Sequence, residues 1–324
     1  MLFPYLNFTN TRLGKSYYFR INRLLGRRTW YGYSEERATF DETSSSELLR
    51  SLIAAGNPFM VARFGANELG CVLDYLQRSG ITAWSNYLTG KRPWVGYRRN
   101  ILRDMEWNAG FFPINPKSLE RFAQKVIEDS ALLDVLGTWI LEEEFVSHYH
   151  PQAKLIPLRL LEPFWSDVPW TSSLAGKRVL VIHPFAKTIE SQFQRRKQLF
   201  KDTRILPDFD LVTLKAIQSA ARQPTDYGSW FEALDCMAES MAKINFDIAL
   251  IGCGAYGFSL AAHAKRIGKQ ALHLGGATQL LFGIAGARWI ERPEYRNIMN
   301  EHWTKPSEEE RPVNFKQMEN GCYW

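Results

Sequence analysis

The chain has 324 residues, of which 45% are hydrophobic and 23% charged, with a formal net charge of +6. That length and apolar content support one large α/β domain or two smaller ones around an extensive core, and exclude a disordered chain. No window approaches the roughly 20 apolar residues of a membrane span. Met1-Leu-Phe-Pro-Tyr-Leu also lacks the charged start and sustained apolar run of a secretory signal, so the expectation is a cytoplasmic protein, soluble or peripheral.

Residues 1–42 read as a basic, aromatic arm. Arg12, Lys15, Arg20, Arg23, Arg27 and Arg28 all precede the first acid, Glu35, and are interleaved with Tyr5, Phe8, Tyr17, Tyr18, Phe19, Leu24, Leu25 and Trp30. This mixture suits peripheral contact with the anionic inner face of a membrane, and it suits a merely solvated arm as well. No helix-turn-helix, zinc finger or aromatic RNA-binding signature accompanies it, so no nucleic-acid partner is expected.

A domain over 43–305 follows. Residues 43–55 have helical character, with Ser44-Ser-Ser-Glu47 as a capping start and Gly56-Asn-Pro58 as a stop. Phe59-Met-Val-Ala62 reads as a buried strand that runs into Arg63-Phe-Gly-Ala-Asn-Glu68, and helical spacing resumes over 69–78. The stretch 92–162 is expected as a mostly helical insertion, most clearly over 118–129 and 132–145. Lys177-Arg-Val-Leu-Val-Ile182 is a strand, His183-Pro-Phe-Ala-Lys187 a turn, and 189–200 a helix. A further strand is expected within 205–214 and an amphipathic helix over 230–243. Residues 306–324 form a tail packed on the domain, ending in the aromatic Gly321-Cys-Tyr-Trp324.

Phe246-Asp-Ile-Ala-Leu-Ile251 then leads into Gly252-x-Gly254-x-x-Gly257, a helix to Gln270, and a strand ending His273-Leu-Gly-Gly276. Such glycine spacing lets the backbone turn sharply while the next helix points free N–H groups at a phosphate or diphosphate. Alternating strands and helices imply a Rossmann-like, mostly parallel sheet with helices on both faces, and the turns after Ala62, Ile182 and Ile251 should share one rim.

The candidate site residues follow from that rim. Arg63 can hold phosphate oxygens in paired bonds or serve a structural ion pair, and Gly65 bends the turn. Glu68 is the candidate base or metal carboxylate, or only complements the helix dipole. His183 can donate to phosphate or take a proton, or is a buried, hydrogen-bonded structural histidine, and Lys187 can place a compact charge on a diphosphate or is a solvated lysine. Backbone amides of Gly254, Ala255, Tyr256 and Gly257 face the same ligand; Tyr256 either stacks on a base or sugar or packs in the core. His273, Gly275, Gly276 and Gln279 close the set, with Thr278 beside them. Four scattered cysteines fit a reducing compartment, and His148 and His150 lack a third ligand nearby, so a polar loop is expected there.

A nicotinamide oxidoreductase would share the glycine spacing, but it expects an acidic residue where this chain has His273-Leu-Gly-Gly276. The order and separation of Arg63-Phe-Gly-Ala-Asn-Glu68 and the 246–276 unit instead resemble the bacterial glycosyltransferases of the GT-D fold. In that family the first motif typically runs Arg-Phe-Gly-Asp-Gly-Glu, and its Asp-x-Glu is associated with a metal and a nucleotide-sugar diphosphate. The resemblance implies sugar transfer from a nucleotide-diphosphate sugar to a hydroxyl of a lipid-linked or glycan acceptor, in surface polysaccharide or glycan synthesis. It carries over onto Arg63, Gly65 and Glu68, with Asn67 at the family's glycine. Ala66 stands at the aspartate, so Mn2+ or Mg2+ would have to rely on Glu68, the diphosphate and water. A non-catalytic sugar-nucleotide binder is the remaining alternative.

Overall fold

The computed structural model describes residues 12–25, 35–77, 81–90 and 98–324. Seven parallel strands form one sheet: β1 (Phe59–Ala62), β2 (Val135–Thr138), β3 (Lys154–Pro157), β4 (Arg178–His183), β5 (Asp210–Lys215), β6 (Ile248–Ile251) and β7 (Gln270–His273), in the order β3-β2-β1-β7-β6-β4-β5. The helices are α1 (Arg12–Leu24), α2 (Glu42–Ala55), α3 (Ala66–Leu76), α4 (Ile81–Leu88), α5 (Arg99–Trp107), α6 (Pro116–Ser130), α7 (Ala186–Gln194), α8 (Arg196–Leu199), α9 (Trp230–Lys243), α10 (Tyr256–Arg266) and α11 (Ala277–Leu281). This is the Rossmann-like α/β architecture expected from alternating strands and helices.

β1 and β6 are apolar on every residue, and β4 and β7 on all but their end residues, because both faces are covered. Alternate side chains then go to different layers. Met60, Ala62, Leu180, Ile182, Ala249 and Ile251 pack with residues of α3, α5, α6, α9 and α10. Phe59, Val61, Val179, Val181, Ile248 and Leu250 pack with α2, α7, α8 and Trp170. Trp324 and Met318 of the chain's last segment belong to this second layer, and Glu310 is buried nearby.

Several local expectations are corrected. The cap of α2 is Asp41, whose side chain accepts from Ser44 N at 2.8 Å and whose backbone N–H donates to Ser44 Oγ at 3.0 Å, so the box starts earlier than Ser44-Ser-Ser-Glu47. Residues 98–162 are not helical throughout: α5 and α6 are followed by β2 and β3, which extend the sheet at one edge. Both are four residues long, and β2 contains Gly137, against which Leu161 packs so closely that an added Cβ would lie 2.6 Å from its Cδ1. An apolar run that short and glycine-interrupted is indistinguishable from helix by periodicity. Residues 132–145, expected as a helix, instead hold β2 and the start of a 3-10 segment over 141–149. Of the basic arm, α1 and Leu25 are described, whereas Tyr5, Phe8, Arg27, Arg28 and Trp30 lie outside the described residues. Among the described residues no helix is long and apolar enough to cross a membrane.

Candidate functional site

Strand register assembles the site. Ile182 is level with Ile251, Ile251 with His273, and Leu272 with Val61. One step on, Arg63, Leu274, Gly252 and His183 therefore form a row across the four central carboxyl ends, where ligands of open parallel sheets gather. Chain connections leave β1 toward β2 and β4 toward β5 in opposite directions, which opens a crevice there.

The crevice is a cleft of about 1040 Å3. Arg63, Gly65, Asn67 and Glu68 of the first turn line it, with His183 of the second and Gly254 and Tyr256 of the third. His273, Gly275, Gly276 and Gln279 line it from beyond β7. The loops carrying Glu68 and Tyr256 thus open on the same side. Ala255, Gly257 and Lys187 are not part of the lining.

In the first turn the guanidinium of Arg63 lies 4.8 Å from the centroid of the Trp139 ring, which faces the cleft and is fixed by its Nε1–H donating to the Phe64 carbonyl at 2.9 Å. Among the described residues Arg63 makes no side-chain hydrogen bond and no ion pair. Burial lowers its pKa, while Glu68, Tyr323 and Glu143 pull it back up. Glu68 is the third residue of α3, whose N-cap Gly65 has no side chain to contribute; the carboxylate folds back over Gly65. Burial raises the Glu68 pKa, its own backbone N–H and Arg63 oppose that, and Glu319 adds to it. Unlike the charges on α6 or α7, this arginine and carboxylate are held near one another without closing into a pair.

In the third turn Gly254 has φ +58°, a left-handed conformation that sends the backbone sharply into α10. Gly257 serves close approach, since its Cβ would sit 2.2 Å from His273 Nδ1. His273 Nδ1 lies 3.2 Å from the Ile251 carbonyl, which only accepts, so Nδ1 carries the proton. Tyr256 is not a free stacking platform. It is 2% exposed, stacks on Trp230 at 5.0 Å and 6°, and its hydroxyl donates to Ser219 Oγ at 2.8 Å, which in turn donates to the Gly110 carbonyl at 2.6 Å. Thr278 Oγ1 is buried without a partner beside the third turn.

The second turn differs most from expectation. His183 Nδ1 accepts from Phe185 N–H at 3.0 Å, so the ring is neutral with its proton on Nε2, and burial lowers its pKa to about 3. Such a ring donates a hydrogen bond to an anion; it is no proton acceptor at neutral pH. Lys187 points outward, 71% exposed, and pairs with Glu309 at 2.9 Å. The N-terminus of α7 is occupied by a protein carboxylate: Glu310 accepts from Lys187 N at 2.9 Å and Thr188 N at 3.4 Å and from the Thr188 hydroxyl. The Lys187 and Thr188 amides are therefore not offered to a diphosphate. Gln279 is likewise committed, its Nε2 donating to the carbonyls of Ile284 and Tyr323 at 3.1 and 3.2 Å.

Several lining residues lie outside the three turns. The chain's last segment returns so that Tyr323 lies against Gly276, whose Cβ would be 2.6 Å from the tyrosine Cε1. Arg288 lies 4.8 Å from the Tyr323 ring centroid and forms an ion pair with Glu319. Burial lowers the Arg288 pKa, but Tyr323, Glu319 and Cys322 more than offset it, and the net direction is upward. Farther along, Glu162 accepts from the Tyr295 hydroxyl at 2.8 Å and from Trp165 Nε1 at 2.8 Å, with Arg159 over the Trp165 ring at 3.9 Å. The pairing of Arg288 with Trp289 in the sequence was the available signal, since arginine beside aromatic residues marks anion and ring recognition. Cys253 and Cys322 are free thiols whose pKa burial raises, which leaves them inert as nucleophiles.

For a divalent cation the chain offers little. Mg2+ or Mn2+ is held by one or two carboxylates plus substrate phosphates; Glu68 supplies one, Ala66 none, and Glu319 is engaged by Arg288. Among the described residues no group of three or more histidine, cysteine, aspartate or glutamate side chains converges on a metal position. His148 is exposed, its ring 3.9 Å from that of Tyr149, whereas His150 is buried, so the expected exposed position holds for His148 and not for His150. Comparison with protein-family models, with curated proteins and with solved structures gives no match.

Proposed function

We propose that this chain is a glycosyltransferase that moves a sugar from a nucleotide-diphosphate sugar to an acceptor hydroxyl, in surface polysaccharide or glycan synthesis. The observation that carries the reading is Arg63, a partly buried cation at the carboxyl rim of a parallel sheet that forms no ion pair among the described residues. A buried charge left unpaired costs several kcal/mol, and a diphosphate lying along the cleft supplies the missing partner. Three further donors surround that position: the neutral Nε2–H of His183, the amides of the Gly254 turn, and Arg288 once it releases Glu319.

In the transfer, the acceptor oxygen attacks the anomeric carbon as the bond from that carbon to the diphosphate oxygen breaks. Glu68, whose raised pKa improves it as a base, takes the hydroxyl proton. Arg63 and Arg288 offset the charge that develops on the leaving diphosphate. A divalent cation bound together with the donor would be held on the protein side by Glu68 and would add positive charge against the same group. Trp289, Tyr295 and Tyr323 also line the cleft and suit a sugar acceptor.

Thermal-shift titration with nucleoside diphosphates and their sugars, with and without manganese or magnesium, tests the reading. Stabilisation is expected with at least one of them and is lost in Arg63→Ala. Donor hydrolysis or transfer vanishes in Glu68→Gln with the fold retained; a fully active Glu68→Gln removes that assignment. Stabilisation by NAD(P) and by no nucleoside diphosphate would instead establish the oxidoreductase alternative, and donor binding without any turnover the non-catalytic one.

A further inference from the structure

We propose that α1 and α4 together form a docking face for an anionic lipid bilayer. Among the described residues nine large apolar side chains are exposed, and seven of them, Leu13, Tyr17, Leu24, Leu25, Ile81, Trp84 and Leu88, lie on these two helices or the residue after α1. Ile81 is 91% exposed, Leu24 84%, Leu88 52% and Trp84 44%. Soluble surfaces scatter such residues singly; their concentration on one unit marks an interaction surface.

The two helices pack on each other. Tyr17 and Tyr87 lie 5.7 Å apart, and a Cβ on Gly90, just past α4, would meet Ile21 Cγ2 at 3.0 Å. Ala83 and Tyr87 form a small cluster of their own, apart from the two layers of the sheet. On α4 the exposed residues Ile81, Trp84 and Leu88 recur at helical spacing, and on α1 Leu13, Tyr17 and Leu24 do the same with Arg20 among them. Each helix thus presents an apolar stripe to solvent.

Charge selects the occupant. The α1 sequence contains Arg12, Lys15, Arg20 and Arg23 and no acid, and α4 has no charged residue. A second copy of the same face would bring like charge against like. Nucleic acid would leave the aliphatic Leu13, Leu24 and Ile81 without a use, because phosphates and base edges reward donors and flat rings. An anionic bilayer satisfies both features: aliphatic side chains enter the acyl boundary, Trp84 sits at the headgroup level, and the basic residues meet acidic lipid. None of these residues lines the cleft, so the inference stands independently of sugar transfer.

Cosedimentation of the full chain with phosphatidylcholine vesicles, with and without phosphatidylglycerol, tests it. Binding is expected to the anionic vesicles, weakened by salt, and absent from the neutral ones. Arg20→Glu and Arg23→Glu, both at exposed positions, should each weaken it by roughly fivefold, and Leu24→Glu combined with Trp84→Glu should abolish it while circular dichroism and the melting temperature stay unchanged. No binding to anionic vesicles, or equal binding by wild type and charge variants, overturns the proposal. So does a wild-type oligomer that the Leu24→Glu, Trp84→Glu variant dissociates while vesicle binding persists.

Discussion

Gly257 and the imidazole of His273 occupy adjoining space so fully that a single methyl group on the glycine would lie 2.2 Å from Nδ1. The third glycine of the turn therefore locks α10 onto the end of β7. Gly257→Ala is expected to cost about 1–3 kcal/mol, the range for overpacking a filled core. In chemical denaturation, the loss should shrink when His273→Ala is added, because the second change vacates the space. Additive losses would show that the ring is not what the methyl meets.

Arg63→Met gives the opposite sign. Removing a partly buried cation that has no ion pair should leave the ligand-free chain as stable as before or more so, by on the order of 1 kcal/mol, while ligand-dependent stabilisation disappears. A destabilised, ligand-free Arg63→Met would reveal a structural partner for the guanidinium.

Glu310 caps α7 from the chain's last segment, and its carboxylate is the acceptor for two backbone N–H groups and a hydroxyl. Glu310→Ala should lower stability by about 1–2 kcal/mol, read from the denaturant midpoint. Lys187→Ala, on the same turn but exposed, should alter neither stability nor diphosphate binding measurably.

Tyr256→Phe separates packing from ligand contact. The ring keeps its stack on Trp230 and loses only the bond to Ser219, so stability should fall by about 1 kcal/mol with donor affinity unchanged. A large loss of affinity without a loss of stability would assign the hydroxyl to the ligand.

Acid should weaken the contribution of the buried histidines to the fold between about pH 6.5 and 4.5. Burial lowers the pKa values of His183 and His273 to about 3 and of His150 to about 4, from 6.5. Each is neutral in the fold and protonated in the unfolded chain, so its contribution is full above 6.5 and is lost as pH falls toward the folded value. Glu143 opposes them: burial raises its pKa from 4.5 to about 7, so its contribution is present below 4.5 and lost as pH rises through 7. Glu68, Glu142 and Glu162, also raised by burial, act with Glu143, and His263 acts with the other histidines. Each histidine on its own contributes a loss of at most about 1.4 kcal/mol per pH unit on acidification, so a urea midpoint whose pH dependence is unchanged in His183→Asn would contradict this.

The sheet's central strands were legible because burial on both faces makes them continuous apolar runs ended by glycine or a charge, as at Ala62-Arg63 and Ile251-Gly252. Strands β2 and β3 were not, since four residues carry too little pattern to compete with a helical reading. Within the site, Arg63, Glu68 and the glycine turns follow directly after strands, so local sequence places them on the rim. Arg288, Glu319 and Tyr323 arrive by a return of the chain from elsewhere, which no local period encodes. The roles of Lys187 and Tyr256 depended on which way a side chain points after a turn; Glu309 and Trp230 decide that, and both are distant in sequence.

Gly252 leaves no slack between its own turn and the next: any side chain there would strike the Gly275 carbonyl at 2.7 Å, Thr278 Oγ1 at 2.6 Å and His183 Cδ2 at 2.7 Å. Loops wedged this tightly cannot shift separately, so whatever seats itself against one must carry the others along, and the cleft floor responds to an occupant as a single plate.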